Sequence, residues 1–139
     1  MMTGRMAWYY QETPHDSWDY DAVQKLILAD ITIDGAPRPV IMQASKNAFF
    51  YVLDRKSGKL LSAKNFAYLN WATHVDMKTG RPVITKDAVW YDTAKNIYPA
   101  WFGAHTWNPC RTARRRTWST FRSSTCRPSG SICCITAAR

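Results

Sequence analysis

Phe49-Phe50-Tyr51-Val52-Leu53-Asp54-Arg55-Lys56-Ser57-Gly58-Lys59-Leu60-Leu61 holds a strand, its reversal and the start of a partner strand. The aromatic and aliphatic run from Phe49 to Leu53 favours extended backbone. Asp54 to Gly58 supply the polar side chains a reversal uses, with Gly58 where the chain needs positive φ. The same pattern stands upstream. Leu26-Ile27-Leu28 and Ile31-Thr32-Ile33 lead to Asp34-Gly35, a hairpin dipeptide, and Val40-Ile41-Met42 returns as partner. Asp21 to Leu28 imitates a short helix, but helical periodicity is weak throughout. The reading is all-β. It predicts about four antiparallel strands in one sheet within residues 6 to 63, with turns at Asp34-Gly35 and Asp54 to Gly58. Residues 64 to 109 are expected to be looser, with short strands between loops.

Working outward, charge divides the chain in two. Of its 139 residues and net +9, residues 1 to 109 hold twelve Lys and Arg against ten Asp and Glu, a balance of +2. The last thirty hold seven Arg and no acid, and also all four cysteines (Cys110, Cys126, Cys133, Cys134). The boundary falls near Pro109. A hydrophobic content of 46% argues against disorder over most of the length. No apolar run approaches the roughly 20 residues of a spanning helix. The start, Met1 to Gln11, lacks the apolar core and cleavage site of a signal peptide.

A short unit recurs. Thr3-Gly4-Arg5-Met6-Ala7-Trp8, Ser57-Gly58-Lys59-Leu60-Leu61-Ser62 and Asp76-Met77-Lys78-Thr79-Gly80-Arg81 each join a hydroxyl residue, a glycine and a base. Its first interval, about 54 residues, is close to the length of one propeller blade. Ordinary turns use the same residues, so spacing alone leaves both readings open. His15, His74 and His105 have no zinc-like spacing.

Two longer stretches are more specific. Gln11-Glu12-Thr13-Pro14-His15-Asp16-Ser17-Trp18-Asp19-Tyr20-Asp21, and Gln43-Ala44-Ser45-Lys46-Asn47-Ala48-Phe49 continuing to Arg55, closely resemble the pyrroloquinoline quinone (PQQ)-dependent alcohol dehydrogenases. Asp76 to Val83 and Phe102-Gly103-Ala104-His105 extend the resemblance, which runs from Thr3 to about Pro109. It implies one to two blades of an eight-bladed quinoprotein β-propeller, incomplete in this chain. It also implies that Thr-Gly-x-x-x-Trp is a tryptophan docking motif stapling neighbouring blades, with Trp8 as the docking residue. Ser62 departs from that motif in the next unit.

The resemblance assigns roles as well. Asp19 matches the catalytic aspartate, which takes the alcohol proton as hydride passes to the quinone and which lies at the calcium ion. An ionised carboxylate only accepts, and a hard cation keeps it ionised. The resemblance implies that residues upstream of this chain share that metal. Lys46 matches the base that hydrogen-bonds the quinone oxygens and steadies charge developing there. Thr106 and Trp107 fall in the segment that lines the cofactor, although relatives often carry Asn where Thr106 stands. Without the resemblance, Asp16, Asp19 and Asp21 are equivalent candidates. The implied reaction is oxidation of a small primary or secondary alcohol, with an acceptor such as a cytochrome c. Two blades cannot surround a cofactor on the propeller axis, so the chain alone is expected to be inactive and to bind PQQ and calcium weakly. The family is periplasmic; as written, an expressed chain without a signal peptide is expected to stay in the cytoplasm.

Residues 110–139 break the resemblance. Written in GC-rich codons, Cys110 to Arg122 read one base out of frame as Met-Pro-Tyr-Ser-Pro-Gln-Thr-Asp-Leu-Val-Tyr-Ile-Pro, close to how the family continues. A frameshifted, irregular tail is therefore expected. Cys133-Cys134 stands too late in the chain to be the family's vicinal disulfide, and no Cys-x-x-Cys-His marks a covalent haem. The competing class is a small basic β-domain that binds nucleic acid through Arg114-Arg115-Arg116 with Trp118 and Phe121.

Overall fold

The computed structural model describes residues 3–89 and 93–108, together with the backbone of 111–114 and 134–137. Four strands, β1 (Ile27–Ile33), β2 (Ala36–Ala44), β3 (Phe49–Asp54) and β4 (Leu60–Asn65), form one antiparallel sheet in chain order. The two expected turns are where the strands reverse. The two apolar runs upstream of Asp34 merge into the single strand β1, in which Ile27, Ala29, Ile31 and Ile33 turn inward and Leu28, Asp30 and Thr32 outward. Pro37 and Pro39 are tolerated in β2 because its pairing with β3 starts only at Val40. The sheet begins later than the expected residue 6: residues 3–26 form an arm outside the ladders, held by side chains rather than by strand pairing.

β3 is buried on both faces, so its sequence is a continuous apolar run rather than an alternation. Phe49, Tyr51 and Leu53 pack on Trp18, Tyr20 and Trp71, while Phe50 and Val52 pack on Val40, Met42 and Ala44. Trp71 is fully buried, with its ring centroid 5.0 Å from that of Trp18 and 5.5 Å from that of Tyr20. A second hairpin follows, β5 (Ala72–Asp76) and β6 (Arg81–Ile84).

The recurring unit proves to be both a turn and a platform. In the β3–β4 turn the Asp54 carboxylate accepts from Lys56 N, Ser57 N and Ser57 Oγ, and Gly58 N closes onto Asp54 O at 2.8 Å. Asp76, Lys78, Thr79 and Gly80 repeat that arrangement between β5 and β6. The arm's aromatics rest on these turns. Trp8 donates its indole N–H to Arg55 O at 3.1 Å, and a Cβ on Gly58 would lie 2.6 Å from the Trp8 ring. Tyr10 donates its hydroxyl to Gly80 O at 2.6 Å.

The expectation of an irregular tail is corrected at two places: β7 (Arg111–Arg114) and β8 (Cys134–Ala137) pair as a parallel ladder. Thr112, Ile135 and Thr136 are β-branched and suit extended backbone, and the intervening segment is long enough for a parallel return. The rest of residues 110–139, including Cys133, lies outside the described residues. No helix among the described residues is long and apolar enough to cross a membrane.

Candidate functional site

Lys46 lies in the turn between β2 and β3. Ser45 N donates to Phe49 O at 3.0 Å and Ala48 N to Ser45 O at 3.2 Å. Ala48 has φ 73, a left-handed conformation that costs an alanine about 1 kcal/mol. Surrounding bonds offset that strain. Asn47, fully buried, accepts Phe49 N on Oδ1, while its Nδ2 faces Glu12 O, Thr13 Oγ1 and Tyr51 Oη at 3.0–3.2 Å. Its carbonyl accepts the Trp71 indole N–H at 2.9 Å.

Asp19 lies on the arm between two buried aromatics. Trp18 donates to Ala88 O and Tyr20 to Pro99 O. With both neighbours turned inward and φ 65 at Asp19 itself, the carboxyl points outward and stays 58% exposed. Aspartate tolerates that backbone better than most residues. Asp19 Oδ2 and Lys46 Nζ are 3.5 Å apart, with the Lys46 side chain only 11% exposed. Asp16 is used otherwise, accepting Trp18 N at 2.9 Å in an Asx turn. Folding thus singles out Asp19 as the aspartate paired with Lys46, a choice the sequence leaves open without the resemblance. A cavity of about 260 Å³, walled by Trp18, Tyr20, Ile97, Pro99 and Trp101, adjoins Asp19.

Residues 103–108 dock on the same end of β2. Ala104 N donates to Lys46 O at 2.9 Å, and a Cβ on Gly103 (φ 80) would meet Lys46 Cβ and Cγ at 2.6 Å. Only glycine lets this segment lie flat on the lysine stem. Buried His105 has Nδ1 3.0 Å from Ala44 O and Nε2 3.0 Å from Asn108 O. Thr106 and Trp107 thus lie on a segment anchored beside Lys46. Thr106 is half-buried and Trp107 80% exposed, and among the described residues neither side chain hydrogen-bonds Asp19 or Lys46.

Sequence reasoning missed Asn47 and Glu12. Glu12 is 8% exposed, and burial pushes its carboxyl up to about 7, partly offset by the Ser45 hydroxyl beside it. That hydroxyl is not aligned as a hydrogen bond, and among the described residues Glu12 Oε2 has no hydrogen-bond partner. The available signal was alternation: on an extended arm Trp8, Tyr10 and Glu12 share one face, and Glu12 is the chain's only glutamate. Tyr10 is pushed up to about 12 by its own burial and then by the Glu12 charge.

A meander whose turns receive aromatics from a neighbouring segment is built for stapling blade to blade, and comparison with known proteins points to the same class. Residues 1–63 match the PQQ family described as glucose/ethanol/alcohol dehydrogenase, β-propeller domain. Residues 1–63 thus carry a PQQ β-propeller domain match, and the chain is similar to a stretch of the PQQ-dependent alcohol dehydrogenases. The quinohemoprotein alcohol dehydrogenase ADH-IIG of Pseudomonas putida is 52% identical over 110 residues, covering 77% of this chain and 15% of that protein. Its solved structure superposes with a TM-score of 0.74 at 49% identity, over 80% of this chain and 17% of that one. A 1-butanol dehydrogenase (cytochrome c) of Thauera butanivorans is 46% identical over 106 residues, 76% of this chain and 15% of the relative. A europium-containing methanol dehydrogenase superposes with a TM-score of 0.71 at 38% identity, over 75% of this chain and 18% of its own. The chain therefore spans about 15% of the length of the curated relatives it matches.

Proposed function

We propose that this chain supplies the base and the quinone-facing cation of a PQQ- and calcium-dependent alcohol dehydrogenase that converts a small primary or secondary alcohol to its carbonyl product. One observation carries the reading: Asp19 and Lys46, 27 residues apart, meet at one rim of the sheet. Asp19 accepts the alcohol proton on its exposed carboxylate. The adjoining cavity, mostly apolar, suits the carbon chain of a small alcohol. Lys46 has three donor hydrogens on a clamped stem. Its contact with a half-exposed Asp19 is long and worth at most about 1 kcal/mol, so it remains available to a ligand oxygen. Thr106 and Trp107 would hold the cofactor from its far side. A bound quinone would supply hydride acceptance, and a metal ion would supply polarisation of its oxygen.

Asp19 is also a fitting donor for a hard cation, which takes six to eight oxygens. Among the described residues no group of three or more His, Cys, Asp or Glu gathers around it, so further ligands come from parts of the propeller outside this chain. The europium of the methanol dehydrogenase relative supports a hard, oxygen-seeking ion, and the cytochrome c in the Thauera relative's name supports that acceptor. The test is a chimera in which residues 3–108 replace the homologous stretch of the Pseudomonas putida enzyme. It should oxidise alcohol with added quinone and calcium, and Asp19→Asn should lower kcat at least a hundredfold, the scale of a general base. The isolated chain should show no turnover. An active Asp19→Asn chimera refutes the assignment.

A further inference from the structure

We infer that Asn47 is the positioning residue that sets Lys46 against Asp19. With its side chain fully buried it touches neither charged group, so its action is through others. Two routes lead from it to Asp19. On one, its Nδ2 faces Glu12 O at 3.2 Å and Thr13 Oγ1 at 3.0 Å, tying the Lys46 turn to the arm a few residues before Asp19. On the other, which runs through the backbone that the amide holds in place, the main-chain carbonyl of residue 47 accepts the Trp71 indole N–H, and the Trp71 ring packs on Trp18 and Tyr20, the two neighbours that turn Asp19 outward.

The donor count shows how fully the group is committed. An amide nitrogen has two hydrogens, and Asn47 Nδ2 has three acceptors within 3.2 Å, Tyr51 Oη, Glu12 O and Thr13 Oγ1, so both hydrogens are engaged. Tyr51 passes its own proton to Glu12 O at 3.0 Å. Oδ1 meanwhile caps Phe49 N, which holds the turn's exit. Aspartate in this place keeps the cap but lacks the donors; alanine loses both. This geometry stands whatever the pair does, and the Proposed function supplies only its meaning for catalysis.

The test follows Lys46 directly in the whole chain. Acylation by a water-soluble amine-reactive ester, read by peptide mass spectrometry, compares Lys46 with exposed Lys59. Asn47→Ala should speed Lys46 acylation at least tenfold and leave the Lys59 rate unchanged. Tyr51→Phe, which removes the bonds from Asn47 Nδ2 to Tyr51 Oη and from Tyr51 Oη to Glu12 O but leaves the Asn47 amide its bonds to Glu12 O and Thr13 Oγ1, should change Lys46 less than twofold despite a lowered melting temperature. If Asn47→Ala fails to fold, Asn47→Asp, which keeps the cap on Phe49 N but lacks the amide donors to the arm, should speed Lys46 about threefold. An unchanged Lys46 rate in the folded variant, or equal acceleration by Tyr51→Phe, overturns the inference and leaves Asn47 a purely structural residue. Loss of activity in the Asp19→Asn chimera with no effect at Asn47 separates this failure from a failure of the proposed chemistry.

Discussion

At the residue scale, Glu12 makes stability depend on pH. Its folded-state pKa of about 7 lies above the ordinary carboxylate value because burial disfavours the charge. The folded chain therefore holds this proton more tightly than the unfolded chain. The stabilisation is complete below about pH 4.5 and is lost as pH rises through 7. A gap of that size corresponds to about 3 kcal/mol. Asp54 and Asp76 are held below the usual carboxylate range by turn N–H donors, so they titrate outside this window. Urea melts should give a more stable chain at pH 5 than at pH 8. Glu12→Gln should flatten the dependence and raise stability at pH 8, because an amide needs no proton to remain neutral. Greater stability at pH 8 in the parent chain contradicts this account.

At the scale of elements, the arm depends on two aromatic-on-turn contacts. Trp8→Ala removes a half-buried indole and its bond to Arg55 O, and should cost about 2 kcal/mol. Gly58→Ala attacks the same contact from the turn: φ is 72, and the new Cβ would clash with the Trp8 ring at 2.6 Å. It should cost at least as much as Trp8→Ala, and the double variant should cost clearly less than the sum. Thermal melts of the three variants measure the coupling. Additive losses would mean that the arm and the turn are independent. The β-turn chemistry here was legible in advance because Asp, Ser or Thr, and Gly act locally. What the turns receive was not, since the partner of Gly58 stands some fifty residues away.

For the whole molecule, open edges govern behaviour. Among the described residues β1 and β4 each have one unpaired side, and Leu26, Leu28, Tyr68, Trp101 and Phe102 are more than half exposed. Such edges and apolar surface invite pairing with another chain. Sedimentation at rising concentration should show self-association, and Leu28→Lys on the outward row of β1 should reduce it. Monomeric behaviour at high concentration in the parent chain would show that the edges are protected in solution.

The local grammar of the chain determined the four-strand meander, two of its three turns and the family to which the stretch is similar. Strand alternation, β-branched runs and Asp-x-x-x-Gly turns act over a few residues and need no distant partner. The extent of the sheet was misjudged for a related reason: residues 6 to 26 carry strand-like aromatics, yet among the described residues they meet turns, loops and the sheet through side chains and join no strand ladder. Only the tertiary structure decided that Asp19, and neither Asp16 nor Asp21, faces Lys46. It also buried Glu12, gave Asn47 its partners at Glu12, Thr13 and Trp71 and laid Gly103 on the Lys46 stem. Each of these rests on groups brought together across tens of residues, where the free energy comes from desolvation and shared hydrogen bonds that no local pattern records.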